Sequence, residues 1–162
     1  MTIALNMIVG PYEVIIDEED YDLVSQYKWF PAKNEYTVYA IAHGPTIGGK
    51  RETIRIHRLI MNATKEEYVD HKNRNGLDNR KENLRLCSPR QNKQNQKPYS
   101  RAISKYKGVV FDKDANKWRA RISIENKRIH LGRFTTEEEA AIAYNNAAIK
   151  YFGEFARLNE VV

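Results

Sequence analysis

The cleanest alternation of apolar and polar positions lies in the last third of the chain. In Lys117-Trp118-Arg119-Ala120-Arg121-Ile122-Ser123-Ile124 every second residue is apolar. Side chains of an extended strand point alternately to opposite faces, so Trp118, Ala120, Ile122 and Ile124 form a buried face and Arg119, Arg121 and Ser123 an exposed one. After the turn Glu125-Asn126 the pattern repeats, with Ile129 and Leu131 on one side and Arg128 and His130 on the other, and Gly132-Arg133-Phe134 closes the strand. Residues 107–112 read as a preceding strand, joined through a turn at Asp114-Ala115-Asn116. The period then changes. Thr135-Thr136-Glu137-Glu138-Glu139 holds two overlapping capping boxes, Thr135 with Glu138 and Thr136 with Glu139. Ala140, Ala141, Tyr144, Ala147, Ala148 and Tyr151 follow at helical spacing up to Gly153. The pattern predicts a three-stranded antiparallel sheet backed by one helix over residues 105–162.

The first half is patterned less cleanly. Tyr12–Ile16 is rich in strand formers, and Asp17-Glu18-Glu19-Asp20 followed by Tyr21, Leu23, Val24 and Tyr27 predicts an acidic helix start with an apolar face. Trp29-Phe30 and Tyr36–Ala42 predict two strands joined around Lys33-Asn34. Residues 44–50 predict a flexible hairpin loop, Glu52–Ile56 a strand, and His57–Met61 the start of a short helix. Residues 96–104 are polar and basic, contain Pro98 and follow neither period, which predicts a linker between a domain at 1–95 and one at 105–162.

The stretch with candidate chemistry, residues 69–95, closes the first of these domains. Asp70 and His71 are adjacent, so at the end of a strand one side chain is available to a metal and the other to a water. Residues 79–85 predict a polar turn entering a short helical piece, in which Asn83 hydrogen-bonds either backbone across the loop or one nitrogen of His71. Fixing one ring nitrogen decides which tautomer the other presents. Ser88 and Pro89 form a helix start, and Asn92 and Asn95 then share one helix face. The Asp70 carboxylate and the Asn92 amide are oxygen donors suited to a hard divalent cation that keeps several waters. His57 has two readings, as a member of this site or as a structural hydrogen-bonding group at a helix start.

Composition sharpens the picture. The 162 residues are 41% hydrophobic and 30% charged, as in a folded globular protein. The apolar runs are far shorter than a spanning helix, and Asn6 breaks the one apolar start, so neither a membrane segment nor a signal peptide is expected. The single Cys87 excludes an intramolecular disulfide and a Cys-rich zinc cage, and reads as a buried filler. The net charge of +6 is unevenly spread. Residues 1–68 hold seven Lys and Arg against ten Asp and Glu; residues 69–108 hold eleven against three; residues 109–162 hold nine against eight. Positive charge thus gathers around the Asp70-His71 stretch, where a polyanion would lie.

In order and spacing, Asp70-His71, Asn83-Leu84-Arg85 and Asn92 resemble the HNH nuclease motif, in particular that of phage and intron-encoded HNH homing endonucleases. The resemblance implies a ββα-metal fold and hydrolysis of DNA phosphodiester bonds. By position it implies Asp70 and Asn92 as metal ligands, His71 as general base, and Asn83 as the residue that holds the loop and orients His71. Asn92 where relatives place His argues for Mg²⁺ over a softer ion, with Mn²⁺ the alternative. Arg74, Arg80 and Arg85 are candidate phosphate contacts, with pairing to neighbouring acids as the plainer reading.

The C-terminal pattern resembles an AP2 DNA-binding domain, carried by Tyr106-Lys107-Gly108-Val109, Lys117-Trp118-Arg119-Ala120, His130-Leu131-Gly132-Arg133-Phe134, Glu138–Tyr144 and Ala156-Arg157-Leu158-Asn159. That resemblance implies a sheet laid in the major groove, with Lys107, Arg119, Arg121, Ser123, Arg128 and His130 at contact positions. Val110 and Asp112 stand where plant relatives carry arginines, and His130 where they carry Trp. The expectation is therefore an α+β protein: a ββα-metal nuclease domain with a β-rich N-terminal extension, followed by an AP2-like domain. Its expected activity is cation-dependent nicking of double-stranded DNA, as a monomer in the cytoplasm of a bacterial or phage-infected cell, without an obligate protein partner. Two alternatives from other classes are a non-catalytic DNA-binding regulator on a degenerate nuclease scaffold and an RNA-binding module.

Overall fold

The computed structural model describes residues 3–96 and 103–161, so residues 97–102 of the expected linker lie outside the described residues. The chain forms two compact units, Met1–Asn92 and Lys93–Val162. It is α+β and mostly β, and no helix among the described residues is long and apolar enough to cross a membrane.

The first unit opens on a hairpin of β1 (Ala4–Val9) and β2 (Tyr12–Asp17). Strand β1 was not expected from the sequence. Its register places Leu5 opposite Ile16 and Met7 opposite Val14, and Val14 and Ile16 are fully buried, so the pairing supplies a face that the broken periodicity hid. The acidic run makes only a 3₁₀ turn at Glu18–Asp20 and a single turn of helix, α1 (Tyr21–Val24), which inserts Val24 into the core. A three-stranded sheet follows in the order β3 (Trp29–Lys33), β4 (Val38–Ile47), β5 (Lys50–Arg55).

The flexible loop expected at residues 44–50 is instead an extension of β4 and β5. Thr46 pairs with Arg51 and Ile47 with Lys50 beyond an irregularity between His43 and Thr46, which leaves Pro45 outside the regular ladder. Only Gly48 and Gly49 turn, both at positive φ (57° and 78°), as a two-residue hairpin connection requires. Helix α2 (Ile56–Ile60) lays Ile56 and Ile60 on the core with Ala40, Ala42, Val69 and Leu84.

Strands β6 (Tyr68–His71) and β7 (Leu84–Cys87) form a second hairpin, and helix α3 (Pro89–Asn95) follows. The short helical piece expected around 79–85 is a turn running into β7: Leu84 and Leu86 lie opposite His71 and Val69, and that cross-strand pairing outweighs local helix propensity. Ser88 does cap α3. Its hydroxyl accepts from the Gln91 N–H (3.2 Å), and Gln91 Oε1 accepts from the Ser88 N–H (2.8 Å).

In the second unit β8 (Val109–Asp112), β9 (Lys117–Ile124) and β10 (Lys127–Phe134) form an antiparallel sheet with β9 central. Helix α4 (Glu137–Phe152) buries Ala140, Ala141, Tyr144, Ala147 and Ala148 against it, meeting Val109, Ala120 and Ile122. Of the two overlapping capping boxes only Thr136 with Glu139 forms, and Glu139 Oε2 also accepts from the Thr135 N–H. Ile129 and Leu131 reach the core by alternation, and a bulge at Leu131 shifts the parity beyond it, so Phe134 also turns inward and Arg133 outward.

Gly108 sits at φ 78°, where a Cβ would lie 2.0 Å from Tyr144 Cδ2 and 2.7 Å from the Arg121 carbonyl oxygen. Substitution there combines backbone strain with overpacking. Gly108→Ala is expected to destabilise the second unit by at least about 2 kcal/mol, read as a lowered urea midpoint for its transition.

Candidate active site and nucleic-acid face

The site in the first unit is built on a twelve-residue loop, residues 72–83, between β6 and β7. Such a loop is too polar to be held by apolar packing, and its hydrogen bonds show what holds it instead. Asn83 Oδ1 accepts from the Asn73 N–H (3.0 Å), and its Nδ2 donates to Asn73 Oδ1 (3.0 Å) and to the Asp78 carbonyl (2.7 Å). Asp78 accepts from Asn73 Nδ2 (2.8 Å) and from Arg80 Nε and Nη2 (2.8 Å each). Those Arg80 contacts hold the Asp78 carboxyl below the usual carboxylate range. Strand β2 grips the same loop: the Ile15 N–H donates to the Leu77 carbonyl, the Asn79 N–H to the Ile15 carbonyl, and the Lys81 N–H to Asp17 Oδ2. Lys81 Nζ adds ion pairs to Glu19 (2.6 Å) and Asp20 (2.9 Å). The acidic N-terminal segment is thus a brace for the basic loop. Gly76 is required where the loop crosses β4, since a Cβ there would lie 2.4 Å from the Val38 carbonyl oxygen.

Asp70 and His71, consecutive on β6, project to opposite faces, as strand geometry demands. Asp70 lies opposite Arg85, and its Oδ2 accepts from both Nε (3.0 Å) and Nη2 (2.7 Å) in a pair of which only 7% and 10% of the side chains are exposed. His71 is buried, and its Nε2 lies 3.2 Å from Asn79 Oδ1. Asn79 is itself fully buried, with Nδ2 turned to the Gly76 carbonyl at 3.5 Å. With the amide nitrogen on a carbonyl, the Asn79 oxygen faces the ring, so Nε2 carries the proton and Nδ1 the lone pair. The residue expected to orient His71 was Asn83. It secures the loop, whereas the ring contact falls to Asn79, because the Asn83 amide is consumed by Asn73 and Asp78.

Two further groups pack around His71, and sequence reasoning left them out or open. The His57 ring meets His71 edge-on at 4.9 Å between centroids, and Tyr39 packs against both at 5.4 and 5.8 Å. His57 is buried with no hydrogen-bond partner at Nδ1. Burial first, then the neighbouring His71 and the charges of Arg55 and Arg58, lower its pKa to about 3. Burial also lowers that of His71, against the opposing Asn79 contact and the charges of Asp70 and Asp78. Both imidazoles are therefore neutral near pH 7. Tyr39 is pushed up by burial and by Asp70. The sequence signal for His57 was the segment His57-Arg58-Leu59 shortly before Asp70-His71, which left it open between this site and a helix start; Asn79 looked like any loop asparagine.

Cys87 links Asp70 to α3. Burial and then the Asp70 charge push its thiol up to about 11, opposed by Arg85 and by a hydrogen bond from the Asn92 backbone. The half-buried Asn92 thus starts its helix turn beside the face of the hairpin that carries Asp70. No group of three His, Cys, Asp or Glu side chains suited to a metal occurs among the described residues. The expected donors, the Asp70 carboxylate and the Asn92 amide, would both offer oxygen, which suits a hard cation that retains most of its water. Of the candidate phosphate contacts, Arg80 is engaged by Asp78 and Glu82 and Arg85 by Asp70. Arg74 is exposed at φ 66° and closes the turn that follows His71, its N–H donating to the His71 carbonyl (2.9 Å), and no carboxylate pairs with it among the described residues.

In the second unit the outward face of the sheet carries the expected row. Arg121 lies opposite His130, Ser123 opposite Arg128, and Arg119 opposite Arg133, which shares this face and had not been singled out. Lys107 differs from the others: its Nζ donates to the carbonyls of Lys93 (3.4 Å), Gln94 (2.5 Å) and Gln96 (2.9 Å).

Comparison with known proteins agrees with this layout. The sequence model of the HNH endonuclease family matches residues 55–94, and that of the AP2 domain residues 104–154. A protein of Acanthamoeba polyphaga mimivirus described as an uncharacterised HNH endonuclease is 34% identical over 148 residues, spanning 88% of this chain and 72% of that one. An AP2-like ethylene-responsive transcription factor of Arabidopsis thaliana is 49% identical over 57 residues, 34% of this chain and 16% of its own. One from Oryza sativa subsp. japonica is 36% identical over 96 residues, 58% of this chain and 12% of its own.

The two buried imidazoles make stability pH-dependent. A histidine whose folded pKa is depressed contributes stability that is complete above its unfolded value and is lost as pH falls. For His57 that window runs from the ordinary 6.5 down to about 3. Urea denaturation of the first unit is expected to show stability declining through this range, and His57→Phe to flatten the slope; an unchanged slope in that variant would place the proton uptake elsewhere.

Proposed function

The chain belongs to the HNH endonuclease family, and from that premise we propose that it is a cation-dependent endonuclease that hydrolyses phosphodiester bonds in duplex DNA, directed to its sites by the AP2 domain. The observation that carries this reading is the buried, neutral His71, fixed through Nε2 by Asn79, on the strand residue next to Asp70. His71 Nδ1 takes a proton from a water, and that water attacks phosphorus in line. Asn83 and the Asp17 to Lys81 brace keep the loop from shifting as the proton moves, and Tyr39 and His57 exclude bulk water from the ring. Asp70 and Asn92 would hold one divalent cation, Mg²⁺ foremost and Mn²⁺ second, which when bound stabilises charge on the phosphoryl and leaving oxygens. Arg74, exposed beside His71, would meet a phosphate next to the scissile one. With one such site per chain, a monomer would nick one strand, leaving 5′-phosphate and 3′-hydroxyl ends; homing-type action on phage or host DNA inside the cell follows from the same reading.

A second reading has one observation in its favour. Arg85 already neutralises Asp70, as in a scaffold that no longer binds a cation and serves only to support a DNA-binding protein. The two readings part in a plasmid-relaxation assay. Purified protein is expected to nick supercoiled plasmid with Mg²⁺ and to stop when EDTA is added. His71→Ala is expected to lose at least about a hundredfold in nicking rate while its affinity for duplex in EDTA stays within a few-fold. Nicking by that variant at the parental rate would remove His71 from the chemistry, and a parent inert with both Mg²⁺ and Mn²⁺ would leave the regulator.

A further inference from the structure

Among the cations on the outward face of the C-terminal sheet stands one carboxylate. Asp112, on the flanking strand β8, carries its side chain over that face with only 11% of it exposed. Its Oδ2 accepts from Arg133 Nε at 3.0 Å and lies 3.8 Å from Arg119 Nη1. Its Oδ1 takes a long hydrogen bond, 3.4 Å, from the Ala115 N–H of the β8–β9 turn. Arg133 stands on β10, the opposite flank, so its side chain crosses the central strand to reach the carboxylate, a span of roughly 10 Å for two strand spacings. Arg119 and Arg133 are direct cross-strand partners, and two guanidinium groups so placed repel unless an anion holds them. Arg119 Nε is shielded from solvent and has no hydrogen-bond partner, so the sheet alone does not satisfy this guanidinium.

We propose that Asp112 is a specificity-determining residue, which holds Arg119 and Arg133 as an aimed pair on the DNA-binding face and opposes duplexes held by charge alone. The proposal rests on the duplex-binding reading given above and adds how that face chooses among sequences. Non-specific binding comes from neutralising phosphates, and a fixed carboxylate in the middle of that contact weakens it for every sequence alike. Base reading requires donors held in one geometry, since a bidentate arginine on guanine discriminates only when its fork is oriented. Asp112 does both at once. It lowers the sequence-independent part of the affinity and removes rotamer freedom from the two donors. Its own carboxylate accepts only from amino groups, such as cytosine N4 or adenine N6, and repels the acceptor edge of guanine beside it. Selectivity thus comes from a repulsive element together with an attractive one. An exposed ion pair with a merely structural role would do neither, and its removal would leave DNA preference where it was.

The test uses the full chain in EDTA, so that binding is read without cleavage. The parent protein is first used to select from a randomised duplex pool. Fluorescence anisotropy then gives Kd for a recovered sequence and for its shuffled counterpart. Asp112→Asn keeps the side-chain shape and an oxygen for the Ala115 N–H while removing the charge. It is expected to bind the shuffled duplex several-fold more tightly, with the salt dependence steeper by about one phosphate contact. Its ratio of recovered to shuffled affinity is expected to fall by about tenfold or more. Arg133→Gln, which breaks the pair from the other side, is expected to lower the ratio while weakening binding to both duplexes. A ratio unchanged in an Asp112→Asn protein that melts as the parent does overturns the proposal, as does a parent that binds duplex but recovers no preferred sequence. A parent that fails to bind duplex at all removes the DNA-binding reading beneath it.

Discussion

The HNH half of this molecule depends on a loop held by polar contacts. Residues 72–83 connect two short strands, and the groups that fix them are the side chain of the exposed Asn73 and those of Asp78, Asn79 and Asn83, which are buried. A buried amide is tolerated only when its donors and acceptors are met, and a network that meets them all admits few alternative conformations. Asn83 satisfies three groups of the loop, and Asn79 turns one end of its amide to the loop and the other to His71. The position of the His71 imidazole is thereby fixed by hydrogen bonds running back to β2, more than fifty residues earlier in the chain.

Charge is arranged to serve the same end. The acidic N-terminal segment and the basic loop are complementary, and Asp17, Glu19 and Asp20 meet Lys81 directly. Part of the cationic charge gathered near the site is therefore consumed internally. Arg80 binds Asp78 and Arg85 binds Asp70, which leaves Arg74, in a left-handed turn beside His71, as the outward-facing cation of the three. A net charge counted along the sequence overstates what a DNA phosphate meets.

The two units handle arginine differently. Around Asp70 the ion pair is nearly closed to solvent, so its desolvation has already been met on folding and its geometry is rigid. On the C-terminal sheet the side chains of Arg119 and Arg133 remain 37% and 51% exposed, and the Asp112 carboxylate is the covered partner. The first arrangement suits a site that must hold its shape. The second suits a surface that must still offer its donors to something else.

Several elements could be read from the chain alone because their causes are local. Alternation fixed the faces of β9, Thr136 and Glu139 marked the start of α4, the small residues that follow showed its buried stripe, and Ser88 with Pro89 marked α3. The order of Asp70, His71, Asn83 and Asn92 carried the family. Tertiary structure alone decided the rest. β1 exists because β2 needs a partner, residues 44–50 are extended because β4 and β5 pair beyond the bulge, and β7 forms because β6 lies opposite it. The same holds inside the pocket: that Asn79 rather than Asn83 touches His71, that His57 lies edge-on to it, and that Asp112 lies between two arginines are facts about distance across strands and loops. Spacing along a sequence records which residues are present and which face of an element they share. Which of them meet is set by packing between elements that sequence separation does not encode.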